Sequence, residues 1–67
     1  MAVIKTIDLV GVSKESWRDA AHQALNEAAK TIRQIEGMDI LGTSALVEDN
    51  KISEYQTHVQ IRFRLER

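Results

Sequence analysis

Residues 52–66, ISEYQTHVQIRFRLE, constrain this chain more than any other stretch. From Tyr55 onward, Tyr55, Thr57, Val59, Ile61, Phe63 and Leu65 alternate with Gln56, His58, Gln60, Arg62, Arg64 and Glu66. A period of two marks a strand with one apolar and one polar face. Strands usually run to about 5–6 residues, and this one is roughly twice that. At about 3.3 Å per residue it spans on the order of 45 Å. Such a strand is expected to outrun its own domain and either curl or pair beyond its own subunit.

The chain around it has 67 residues, enough for one small domain. Below about 70–80 residues a single core rarely supplies more than roughly 3–5 kcal/mol, and chains of this size usually carry a staple. There is no cysteine for a disulfide and no Cys/His cluster for zinc, so oligomerisation is the remaining remedy. The lack of cysteine fits a reducing compartment. No N-terminal stretch reads as a signal peptide, and no apolar run approaches the roughly 20 residues of a membrane span. Net charge is −1 with both signs interspersed, which offers no nucleic-acid footprint. The expectation is a soluble cytoplasmic protein with no nucleic-acid or membrane partner.

Residues 3–10, VIKTIDLV, read as a first strand, with Ile7 and Leu9 on one face and Thr6 and Asp8 on the other. Gly11-Val12-Ser13 breaks the pattern, and Ser13 is the candidate N-cap of a helix with Glu15 in its first turn. Over residues 14–36 the period becomes helical. Trp17, Ala21, Ala24, Ala28, Ile32 and Ile35 form the stripe, widened by Ala20, Leu25 and Ala29. About 23 residues at 1.5 Å rise predict a helix of roughly 34 Å, closed by Gly37 as an αL cap. The stripe's alanines let a sheet approach closely. Residues 38–47 resume a strand, in which Gly42 marks a bulge or a close approach. Glu48-Asp49-Asn50-Lys51 suits a hairpin into the final strand. The order is β-α-β-β, an α+β fold of one helix on one sheet, with open edges that neighbouring subunits can cover.

This order, with Val10-Gly11-Val12-Ser13 opening an alanine-rich helix, Glu54-Tyr55-Gln56 and then Phe63-Arg64-Leu65-Glu66, resembles the dodecin family over nearly the whole chain. The resemblance implies a hollow homododecamer whose three-stranded antiparallel sheet partly wraps its helix. It also implies a flavin-binding and flavin-storing flavoprotein rather than an enzyme. In flavin-binding members the rings sit between symmetry-related tryptophans, with a glutamine on the ring's polar edge. Gln56 matches that glutamine. The tryptophan belongs to a stretch of the type L-D-W-F-E-V, which aligns with Ile35-Glu36-Gly37-Met38-Asp39-Ile40, so Gly37 stands where the stacking aromatic should be. The implied cofactor-binding residues are Gln56, Gly37 and Met38, and the implied ligand, FMN or riboflavin, is weakened by the missing indole. Family members lacking the aromatic are associated with calcium, so a flavin-free shell with a calcium-binding or structural role is the alternative. A third reading is a βαββ protein outside the family that dimerises through its long strand.

The remaining candidates have plainer readings. Trp17, on the apolar stripe, is expected as a core or subunit-interface anchor. Gln56 serves either a ligand edge or a cross-strand or inter-subunit hydrogen bond. His22 and His58 have no second ligand at helical or strand spacing, and no metal ligands are assigned. Glu48 and Asp49 lack the spacing of a calcium loop and read as a solvated turn. Arg62 and Arg64, beside Glu54 and Glu66, are expected in inter-subunit ion pairs. No catalytic motif is present, so no enzyme activity is expected.

Overall fold

The long alternating run becomes the centre of the sheet. The computed structural model of the protein describes residues 2–66, except for the side chain of Glu66. The elements are β1 (Ala2–Ser13), α1 (Trp17–Ala29), β2 (Ile35–Glu48) and β3 (Lys51–Glu66). The sheet order is β1-β3-β2, antiparallel throughout. β1 runs from Ala2 opposite Glu66 to Ser13 opposite Tyr55, and β2 runs from Ile35 opposite Phe63 to Glu48 opposite Lys51. The expected overhang of the last strand is therefore absent. β1 and β2 are themselves long, at 12 and 14 residues, and between them they cover β3 from end to end. What stays open is the outer edge of β1 and of β2, together with the β1 side of β3 before Tyr55.

The odd-numbered face of β3 carries the core, as its alternation predicts. Thr57, Val59 and Ile61 are buried on it, with Ile7 and Leu9 of β1 beside them. Against this face lie Ala20, Ala21, Ala24 and Ala28 of α1, all buried. A Cβ added at Gly11 would fall on the carbonyl of Ala20 and against the Ala24 methyl. Helix and strand thus meet backbone to backbone at Gly11, which is what an alanine-lined helix permits.

The helix is shorter than its periodicity predicts, 13 residues rather than about 23. At its start, Ser13 is still paired with Tyr55 in the β1–β3 ladder, so it cannot serve as the helix cap. Ser16 is the N-cap, accepting from the Asp19 N–H at 2.9 Å. Ser13 instead accepts from the Glu15 N–H at 2.9 Å and donates to Asp19 Oδ2 at 2.7 Å. Asp19 rather than Glu15 is the acidic residue of the first turn. At its end, the Lys30 and Thr31 N–H groups bond three residues back, tightening and closing the turn. The left-handed residue that redirects the chain is Gln34, at φ 60°, not Gly37. Gln34 is held there by the Arg64 N–H, which donates to its carbonyl at 3.1 Å. Ile32 and Ile35 suit either a helical stripe or a strand face, and pairing of Ile35 with Phe63 decides the matter.

The hairpin forms where expected. Asp49 and Asn50, at φ 50° and 64°, make a two-residue turn between Glu48 and Lys51, the geometry whose twist matches the flanking strands. A bulge interrupts β2 between Ile40 and Gly42, as the glycine predicts. Nothing approaches Gly42 within 4 Å, so it marks the bulge and not a contact.

The protomer is drawn out, 52 × 19 × 12 Å, with a radius of gyration of 13.8 Å against about 11 Å for a compact chain of this length. Its accessible surface is 5017 Å², where a compact monomer of its mass exposes about 4,300 Å². Val10, Val12, Ile40, Leu41, Leu46, Val47 and Ile52 are all exposed. Gly11→Ala is expected to destabilise the fold by about 3 kcal/mol or more, because the added methyl meets main chain rather than a movable side chain. Thermal unfolding followed by circular dichroism measures this, with Gly42→Ala as the benign control.

Candidate functional site

The sheet has two faces, and the candidate residues are divided between them. On the helix face, α1 sits over β1 and β3 and scarcely reaches β2. The uncovered part of β2 becomes the floor of an apolar groove of about 340 Å³, lined by Trp17, Ala21, His22, Met38, Ile40 and Thr57 among others. Trp17 forms one wall. Its Nε1–H donates to the Ser44 carbonyl at 2.8 Å, and its ring meets Tyr55 edge to face with centroids 4.8 Å apart. Thr57, 1% exposed, donates from Oγ1 to the Trp17 carbonyl at 2.8 Å. Two contacts fix the indole and a third holds its main chain, in a residue that remains 40% exposed. Trp17 is accordingly not a core residue of the protomer. It is a braced apolar wall at the helix start.

On the opposite face polar side chains pair across the strands, with Val10 and Val12 exposed among them. Asp8 of β1 receives the Gln60 amide N–H at Oδ1 and contacts His58 Nε2 through Oδ2, both at 3.2 Å. Arg64 Nε donates to Glu36 Oε2 at 2.9 Å. Arg62 Nε lies 3.2 Å from Asp39 Oδ2 but off the hydrogen-bond direction, so that contact is ionic only. Both arginines therefore find carboxylates on β2 of their own chain, where inter-subunit pairs with Glu54 and Glu66 were expected. Glu54 accepts from Gln56 Nε2 at 3.1 Å, and the Glu66 side chain lies outside the described residues. Exposed pairs of this kind contribute about 0–1 kcal/mol each. They order the face more than they stabilise it.

The three residues assigned to a cofactor are not gathered by one protomer. Gly37 and Gln56 lie on the polar face, Gly37 beside Arg62 and Gln56 beside Ser44 and Val12. Six residues of β3 separate the two rows, about 20 Å at strand rise. Met38 points the other way, into the Trp17 groove. A site using all three would need more than one copy of the chain.

Gly37 has a neighbour that its sequence position does not disclose. A Cβ built there would collide with Nη2 and Cζ of Arg62 and lie 3.1 Å from Nε. The Arg62 guanidinium occupies the space above the glycine. The register that puts Arg62 across from Gly37 follows a shift between Ile35 and Gly37, which residue alternation alone does not reveal. A flavin pocket at Gly37 would thus meet a cation with its ion-pair partner Asp39, where the resemblance implies an aromatic face. For metals, no group of three or more His, Cys, Asp or Glu side chains is arranged to hold an ion among the described residues. No helix among them is long and apolar enough to cross a membrane.

Thr57→Val keeps the volume and removes one buried hydrogen bond to the helix start. It is expected to lower stability by about 1 kcal/mol and to loosen Trp17, read as a shift in tryptophan emission alongside a denaturant titration.

Comparison with known proteins agrees with this architecture. The dodecin family model matches residues 3–66. The dodecin of Thermus thermophilus is 33% identical over 64 residues, covering 96% of this chain and 93% of that protein. A crystal structure of a Thermus thermophilus protein matches with a TM-score of 0.94 at 31% identity, covering 100% of this chain and 98% of that one. The calcium-chelating calcium dodecin of Mycobacterium tuberculosis, whose structure has a calcium-binding site, matches with a TM-score of 0.83 at 28% identity over 96% of this chain and 91% of that one. The β-α-β-β order, the central third strand and the match along almost the entire chain lead to one conclusion: the protein is a member of the dodecin family.

Proposed function

We propose that this dodecin assembles as a homododecamer and acts as a small-molecule binding and storage protein, not an enzyme. Its ligand class is flavin, FMN or riboflavin, held weakly in pockets between subunits. The drawn-out protomer, two open sheet edges and the exposed aliphatic residues support assembly, since a second copy can bury what one chain cannot. The observation that carries the weak-flavin reading is Gly37, which presents no ring for stacking. An aromatic pair contributes about 0.5–1.5 kcal/mol beyond its buried area, and a pocket without one forgoes that. Gln56 remains to hold the polar edge of a ring, although one of its N–H groups already donates to Glu54.

The calcium-chelating relative favours a second reading, a flavin-free shell that takes up Ca²⁺. Calcium needs 6–8 oxygen ligands. With no cluster formed by a single chain among the described residues, those ligands would have to converge from several copies around a symmetry axis. Localisation in the cytoplasm belongs to the same proposal, on the strength of the cysteine-free composition.

Native mass spectrometry is expected to give a species of twelve chains, and a stable dimer or monomer at micromolar concentration would overturn the assembly. Equilibrium dialysis is expected to find weak uptake of FMN and riboflavin by the native protein. Gly37→Trp should tighten it about tenfold, since only the movable end of Arg62 has to give way. No uptake by either protein, together with saturable Ca²⁺ binding in a calorimeter, would decide for the second reading.

A further inference from the structure

We propose that Arg62 replaces the missing aromatic face, so that a flat conjugated ring stacks on its guanidinium and not on an indole. The inference deepens the reading given above and rests on it, because it takes the strand segment around Gly37 to be the ligand pocket. Gly37 is not a hole in that pocket. It is the seat of a second residue's head group, since Nη2, Cζ and Nε of Arg62 all lie within contact of where its Cβ would be. Any side chain at position 37 would displace that group, so glycine there and arginine at 62 form one arrangement. The strand register sets them opposite each other.

The head group is also held. Asp39, two residues along β2, contacts Nε at 3.2 Å, and Nε is shielded from solvent without making a hydrogen bond. The side chain as a whole is 42% exposed, so the guanidinium is seated on one side and accessible on the other. A guanidinium is planar, weakly hydrated and able to stack on a ring through cation–π attraction and dispersion. A lysine ammonium carries the same charge without the plane. With Asp39 balancing the charge, the plane is the distinguishing feature, and the ligand class is a flat heteroaromatic ring rather than a simple anion. A guanidinium also has no readily donated electron, unlike indole. A flavin bound here keeps its fluorescence, whereas one stacked on tryptophan is quenched.

The test uses the assembled protein with lumiflavin, riboflavin and FMN as probes, binding measured by equilibrium dialysis and emission measured separately. Arg62→Gln and Arg62→Lys are both expected to weaken all three probes by about three- to thirtyfold, lysine no better than glutamine. Native protein should bind with emission retained and anisotropy raised, while Gly37→Trp should bind with emission lost. Gly37→Ala, which keeps Arg62 but evicts its head group, should weaken binding as the arginine variants do. It serves as the second variant should those fail to assemble. Unchanged affinity in the Arg62 variants overturns the proposal while leaving the flavin pocket standing. A loss confined to FMN and rescued by lysine also overturns it, in favour of a simple phosphate contact. Absence of flavin binding in native protein and in Gly37→Trp alike fails the pocket reading itself, and the stacking proposal with it.

Discussion

The structure depends on one close approach, the main chain of α1 at Ala20 lying directly on β1 at Gly11. Both partners are as small as residues can be. Ala20, Ala21, Ala24 and Ala28 are buried against the sheet, and the largest fully buried side chains are only Ile61, Val59 and Thr57. Contact at this distance excludes water with very little side-chain volume. It also leaves a thin core, because burial scales with the apolar area brought together and alanine brings little.

A helix of 13 residues seated on Gly11 can cover only part of a sheet built from strands of 12, 14 and 16 residues. It covers β1 and β3, so the inner face of β2 is left as the floor of the Trp17 groove. The same seating fixes the indole, since Thr57 and Ser44 hold Trp17 where the helix starts. The exposed aliphatic residues and the excess surface follow from the same geometry. The protomer's apolar remainder lies mainly on β1, on β2 and at the hairpin end.

The opposite face obeys a different logic. There the polar residues of β3 meet partners on β1 and β2, giving Asp8 with His58 and Gln60, Asp39 with Arg62, and Glu36 with Arg64. Their net energetic worth is modest, but they set which head group lies over which backbone segment. That is how Arg62 comes to cover Gly37. The same ordering keeps Gln56 in a separate row, so that a ligand touching both rows requires a second copy of the chain.

Much of this was legible in the residues themselves. Alternation from Tyr55 to Leu65 determined the two faces of β3, because successive strand side chains must point to opposite sides. The alanine stripe determined a closely seated helix and Asp49-Asn50 the hairpin, each through local sterics, and Gly42 marked the position of the bulge. Tertiary structure decided the rest. Ser13 and Ile35 have helix-compatible chemistry, yet ladder pairing with Tyr55 and Phe63 claims their backbone, and a local period cannot foresee a partner forty or thirty residues away. The partners of Arg62 and Arg64, and the guanidinium above Gly37, depend on register shifts in β2 that are set by the whole ladder. Local order is written in the spacing of side chains, whereas who meets whom across a sheet is settled only when all three strands are in place.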